Sequence, residues 1–156
     1  MFTPLEEVHF QYFVQHLESN QILLDEEGRK AYGKDHTEDL SFPPELVVFP
    51  KSTEEVSMIM AYCYQNNLPV TPIGARTGLS GGALSVHGGV GLCLERMNAI
   101  LKIDEDNQQV LTQPGVITQV LQEKVAECGL FYAPDPASRG TCFIGGNLAE
   151  NSGGPR

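Results

Sequence analysis

Two stretches of this sequence carry residue types suited to chemistry, and both are rich in glycine. The first runs Pro72-Ile-Gly-Ala-Arg-Thr-Gly-Leu-Ser-Gly-Gly-Ala83, and the second runs from Gly140 to Gly154. Twelve of the 16 glycines fall between Gly74 and Gly91 or within that second stretch. Glycine loses more conformational entropy on ordering than any other residue. Clusters this dense therefore point to unusual backbone geometry or to close approach of a ligand.

Four chemistries compete for the first window. A Walker A loop needs a lysine followed by Ser or Thr after the second glycine, and none is present. A Rossmann fingerprint needs an amphipathic helix straight after the glycines, whereas Ala83–Val90 contains His87-Gly88-Gly89 and has no helical face. Gly78-Leu79-Ser80-Gly81-Gly82 matches the G-x-S-x-G of a serine hydrolase. That fold requires a helix directly after the serine and a histidine late in the chain, and the only histidine after Ser80 is His87. The fourth chemistry is an anion cradle, in which successive backbone N–H groups surround phosphate oxygens. Thr77 and Ser80 add hydroxyl donors, Arg76 adds a charge, and Gly78 is expected at positive φ. A ligand-free glycine turn needs fewer glycines than this, and the cradle is the better fit.

The remaining reactive side chains are dispersed. His9, His16, His36 and His87 show no metal-ligand spacing, so no metal is expected. Cys63, Cys93, Cys128 and Cys142 include no C-x-x-C, which argues against a zinc site or a disulfide framework. Reduced thiols and the absence of a signal-like N-terminus imply a cytoplasmic location. With 10 basic and 20 acidic residues in 156, the formal charge is −10, which disfavours nucleic acid as a partner. The 41 % apolar content suffices for a folded core. No apolar run approaches the length of a membrane span.

The elements that must position the glycine windows follow from hydrophobic spacing. Thr3-Pro4-Leu5-Glu6 reads as a capping box opening a helix to about residue 19, with Leu5, Val8, Tyr12, Phe13 and Leu17 on one face. Residues 22–39 read as a connector with some local helix. Glu45–Phe49, between prolines, reads as a buried strand, and Ser52-x-x-Glu55 caps a helix with Val56, Ile59, Met60 and Cys63 inward. Pro69–Pro72 is a short strand that leads into the first window, and Val90–Leu94 is another. Ile100–Ile103 and Val110–Gln113 form a hairpin. Ile117 to Cys128 is a helix with Val120, Leu121 and Val125 inward, and Gly129 is its stop. After Phe131-Tyr132 the chain is expected to be irregular. The fold class is α+β, with residues 1–43 as N-terminal helix and connector and 44–156 as the principal domain. The last glycines have no following element to anchor them, so the chain is expected to be incomplete at its C-terminus.

Five ordered segments carry a family resemblance: Leu46–Val56, Gly74–Ala83, Gln113–Val116, Tyr132–Ser138 and Ile144–Gly154. Together they resemble the FAD-binding domain of the vanillyl-alcohol oxidase and p-cresol methylhydroxylase superfamily. Within it, the sequence looks most like the FAD-linked glycolate and D-lactate dehydrogenases. The resemblance implies mixed β-sheets flanked by helices. It assigns Gly74, Ala75, Arg76, Thr77, Gly78, Leu79, Ser80 and Gly81 to the FAD pyrophosphate. Pro134, Asp135 and Ser138 are assigned to the segment beside the flavin. Gly145, Gly146, Asn147, Asn151, Ser152 and Gly153 are assigned to a loop lying on the cofactor. Arg76 stands where the family usually has a small residue, so its side chain must turn away or contact phosphate. The first window lacks the histidine that some members use for covalent attachment, and noncovalent FAD is expected.

The resemblance implies a flavoprotein oxidoreductase that oxidises a small 2-hydroxy acid, glycolate or D-lactate, to the 2-oxo acid. The catalytic residues are expected beyond residue 156, so residues 1–156 alone should not turn over and should bind FAD poorly or not at all. The electron acceptor is a quinone, an electron-transfer protein or oxygen. Further oxidase subunits or a homo-oligomer are expected as partners, with peripheral membrane association through the acceptor. The alternatives are a flavin- or nucleotide-binding module without catalysis and, as an outsider, the Ser80 hydrolase.

Overall fold

Short runs of valine and leucine bracketed by proline become the central strands. The computed structural model describes residues 2–37 and 39–155. In chain order the elements are α1 (Glu7–His16), β1 (Ile22–Leu23), α2 (Glu26–Lys30), β2 (Leu46–Val48) and α3 (Thr53–Gln65). They continue with β3 (Val70–Ile73), β4 (Val90–Cys93), β5 (Ile100–Asp104), β6 (Gln109–Thr112), α4 (Thr118–Glu127) and α5 (Ile144–Ala149).

Four strands form one sheet in the order β1-β2-β4-β3. β2, β4 and β3 run parallel, and β1 joins β2 antiparallel as an edge. Strands buried on both faces read as continuous apolar runs, which is what Leu46–Val48 and Val90–Cys93 are. Alternate side chains then divide between two cores. Leu46, Val48, Val90 and Leu92 meet Phe13 and Leu17 at the α1 end and Ile59 and Cys63 of α3 on one face. Val47, Ile73 and Cys93 meet Phe49, with Leu23 and Tyr32 packed against them, on the other. A separate hairpin, β5–β6, packs with α4 and α5 around Val116, Leu121, Val125 and Ile144.

Several boundaries differ from sequence expectation for local reasons. α1 starts at Glu7 because Glu6, not Thr3, closes a reciprocal capping box with His9. The Thr3 amide is instead bound to the Asn67 carbonyl at 3.0 Å. Val8 therefore faces solvent, and His9 and Phe13 face the core. Met60 and Val120, expected inside, are 43 % exposed, and Thr118 is buried in the α4 face. The connector contains β1, α2 and a 3₁₀ turn at Ala31–Gly33.

Helix stops are more uniform. At α3 the amides of Asn67 and Leu68 bond to the carbonyls of Tyr64 and Cys63. At α4, Gly129 and Leu130 bond to Ala126 and Val125; at α5, Asn151 and Ser152 bond to Leu148 and Asn147. Each is a Schellman motif whose pivot is left-handed, with φ of 54° at Asn67, 72° at Gly129 and 51° at Asn151. α5 is the main departure from expectation: the second glycine window is partly helical. Ile144 anchors it in the hairpin core, and Asn147 Nδ2 donates to the buried Thr118 hydroxyl. A Cβ on Gly145 would lie 2.7 Å from Pro114 Cβ, so only glycine lets this turn sit so close.

Candidate cofactor site

Parallel neighbours such as β3 and β4 need a crossover, which is usually a helix. Here the connection is the first glycine window, residues 74–89, which has no helix. It leaves β3 at its C-terminal end, the edge at which open parallel sheets place ligands. A cavity of about 650 Å³ lies there, between this loop and α5. Both glycine windows line it.

Twelve residues expected to contact cofactor line this cavity: Gly74, Ala75, Arg76, Thr77, Gly78, Leu79, Ser80, Ser138, Gly145, Gly146, Asn147 and Ser152. A Cβ on Gly78 or Gly146 would meet no described atom within 4 Å, so these backbones adjoin open space rather than protein. Gly78 is not at positive φ, contrary to expectation. Between Gly74 and Ala83 the left-handed positions are Arg76, with φ 58°, and Gly81, with φ 76°, and they bracket Thr77–Ser80; Gly88 and Gly89 are left-handed nearer β4. The Arg76 side chain turns away onto the Tyr32 ring, its guanidinium carbon 4.3 Å from the ring centroid.

Five expected residues do not line the cavity. The Gly81 amide donates to Asp35 Oδ2 at 3.1 Å. Pro134 accepts a bond from Gln122 through its carbonyl, and the buried Asp135 carboxylate pairs with Arg139 at 2.6 Å. That pairing holds the Arg139 guanidinium pKa above its ordinary value. Asn151 serves as the left-handed pivot ending α5. Gly153 is exposed, and its neighbour Gly154 lies so close to the Asp135 backbone that a Cβ would collide.

Two carboxylates line the cavity that sequence reasoning passed over, Asp35 and Glu150. Ser80 Oγ donates to Glu150 Oε2 at 2.7 Å, which ties the first window to the end of α5. Neither acid advertises itself, since a carboxylate is an unexpected neighbour for an anion site. Asp35 could have been noticed only as the start of an Asx turn, its Oδ1 accepting from the Thr37 amide at 2.8 Å. The hydrolase alternative finds no support: Ser80 sits in a loop on a glutamate, and the His87 ring packs with Phe2.

The parallel sheet, the helix-free glycine crossover and the cavity between two glycine windows define an FAD-binding domain of the p-cresol methylhydroxylase type. Residues 44–156 match the FAD binding domain family, and the chain belongs to it. It is 43 % identical over 129 residues to glycolate oxidase subunit GlcD of Bacillus subtilis, covering 83 % of this chain and 27 % of that protein. It is 39 % identical over 138 residues to a D-2-hydroxyglutarate dehydrogenase of Stutzerimonas stutzeri, covering 88 % of this chain and 30 % of that one. In fold it is similar to p-cresol methylhydroxylase with substrate bound, at a TM-score of 0.68 and 24 % identity, covering 85 % of this chain and 28 % of that one. The chain thus spans less than a third of these curated relatives.

The residues present fit FAD. A dinucleotide brings a pyrophosphate that requires N–H and hydroxyl donors and a flat ring that requires close backbone approach. The Thr77–Ser80 segment and the open faces of Gly78 and Gly146 are suited to these two demands.

Proposed function

We propose that the protein containing this chain is an FAD-dependent oxidoreductase that converts a small 2-hydroxy acid of the glycolate or D-lactate type to its 2-oxo acid. The observation that carries this reading is the family match across both glycine windows, which line one cavity. The similarity to a glycolate oxidase subunit and a D-2-hydroxyglutarate dehydrogenase supports the substrate class. When bound, FAD supplies the electron sink for oxidation at the substrate's α-carbon.

This chain's own residues bind and orient. Gly74 to Ser80 present backbone N–H groups to the pyrophosphate, with Thr77 adding a hydroxyl and Ser80 adding its own once it leaves Glu150. Ser138, Gly145, Gly146, Asn147 and Ser152 border the rest of the cofactor. The Asn147 amide nitrogen is held by Thr118, which leaves its carbonyl oxygen for a cofactor N–H. Pro134, Asp135, Asn151 and Gly153 act one layer back, through the Asp135–Arg139 pair and the α5 stop. The base that takes the substrate's hydroxyl proton is assigned to none of the residues in this chain.

Noncovalent attachment is part of the proposal, because no histidine lies within Gly74–Ala83. Acid precipitation of the purified protein should leave the yellow colour in the supernatant, and flavin in the pellet would contradict this. Other oxidase subunits are proposed as partners, since the Bacillus relative is named a subunit. Reduction of an artificial acceptor dye by glycolate or D-lactate tests the activity. Bound flavin without dye reduction by either acid would favour a cofactor-binding module instead. Among the described residues no helix is long and apolar enough to cross a membrane. With all four thiols free, we place the protein in the cytoplasm, peripheral to a membrane through its electron acceptor.

A further inference from the structure

The glycine loop is held from outside the family-matched region. A strap ahead of residue 44 crosses it at three points. The His36 amide donates to the Gly78 carbonyl at 3.0 Å, and the Gly81 amide donates to Asp35 Oδ2 at 3.1 Å. The Ser85 amide donates to the Phe42 carbonyl at 3.2 Å, and the strap closes on itself through Phe42 to Gly33 at 2.8 Å. Only one of these contacts uses a side chain. Asp35 engages both its oxygens, Oδ1 on the Thr37 amide and Oδ2 on Gly81.

We infer that Asp35 is a positioning residue that orders the Thr77–Ser80 amides for a pyrophosphate by pinning Gly81 at the loop's left-handed corner. The inference rests on the reading of the cavity as the FAD site. Thr77–Ser80 lies between Arg76 and Gly81, the two left-handed residues of the loop's first half, 74–83. Arg76 is fixed by Tyr32, and Gly81 has no side chain with which to fix itself. A loop this rich in glycine has much entropy to lose when a ligand arrives, and ordering it beforehand removes that opposition from binding. By taking the Gly81 amide, Asp35 also marks where the cradle ends. Its charge faces the same cavity, so the opposite role, a carboxylate that competes with phosphate, predicts an effect of opposite sign.

FAD titration of the protein containing this chain, stripped of flavin, decides between them, with Asp35→Ala and Asp35→Asn beside the wild type. An asparagine offers one acceptor where two amides need one each, so both variants should bind FAD about tenfold or more weakly. Hydrogen exchange in the apoprotein should quicken in peptides covering residues 74–85 and stay unchanged in α3 and β2. Asp35→Asn, nearly isosteric, carries the test if the alanine variant does not fold. Unchanged or tighter FAD binding by both variants overturns the inference. So does exchange that quickens throughout the chain, which would make Asp35 a general structural residue. A wild-type protein that binds no FAD would instead remove the cofactor reading itself.

Discussion

Gly78 and Gly145 look alike in sequence but do different things. At Gly78 a Cβ would point into open cavity, whereas at Gly145 it would strike Pro114. Gly78→Val should therefore leave the melting temperature of the apoprotein close to wild type and weaken FAD binding by tenfold or more. Gly145→Val should destabilise folding by about 2 kcal/mol, as overpacking does, and a denaturant titration of the apoprotein would show it. Equal loss of stability in both would mean that Gly78 is packed against protein. Thiol reactivity is a second check at this scale. Cys63, Cys93 and Cys142 are buried and Cys128 is partly exposed, so iodoacetamide on the native protein should modify Cys128 first, with the others reacting only on unfolding. Much of the lining of the candidate cavity was legible at residue level, because glycine density and the Thr77/Ser80 hydroxyls are visible without a structure. Asp35 and Glu150 were not, since nothing in sequence signals a carboxylate that faces a glycine loop from 46 or 70 residues away.

Elements were legible where local chemistry sets them and illegible where tertiary contacts do. Ser52 caps α3 as its spacing predicts, its hydroxyl accepting from the Glu55 amide at 3.2 Å. Ser52→Ala should cost about 1 kcal/mol in a denaturant titration. The three Schellman ends make a sharper test. Gly129→Ala forces a Cβ into the left-handed region and should destabilise by about 1 kcal/mol, whereas Asn151→Gly should be neutral or slightly stabilising. The reverse order would mean that these pivots do not set the helix ends. α5 escaped prediction because Gly145-Gly146 is a poor helix former. Its turn persists through Ile144 in the hairpin core and the Asn147–Thr118 bond, neither of which can be read from a window of six residues. β1 escaped because a two-residue edge strand has no periodicity to read.

At the scale of the molecule, the two sheet faces share one vulnerability. Burial pushes the Cys63 thiol up to about 11 and Cys93 up to about 12, from an ordinary 9.0. Burial raises the hydroxyls of Tyr32 and Tyr132 in the same direction. The folded protein thus keeps protons that the unfolded chain releases above pH 9. The stabilisation is complete below that pH and is lost as pH rises towards 11 and 12. The melting temperature should fall steadily above pH 9, and less steeply in Cys93→Ala; a flat profile to pH 11 would contradict the burial of these groups. The central claim concerns the cavity that joins the two glycine windows. Its most direct test is the visible absorbance spectrum of the protein containing this chain, stripped of flavin and titrated with FAD, with Gly78→Val measured alongside. The account predicts perturbed flavin bands that saturate at one FAD per chain and require far more FAD in the variant. An unperturbed spectrum, or equal affinity in the two proteins, would contradict it.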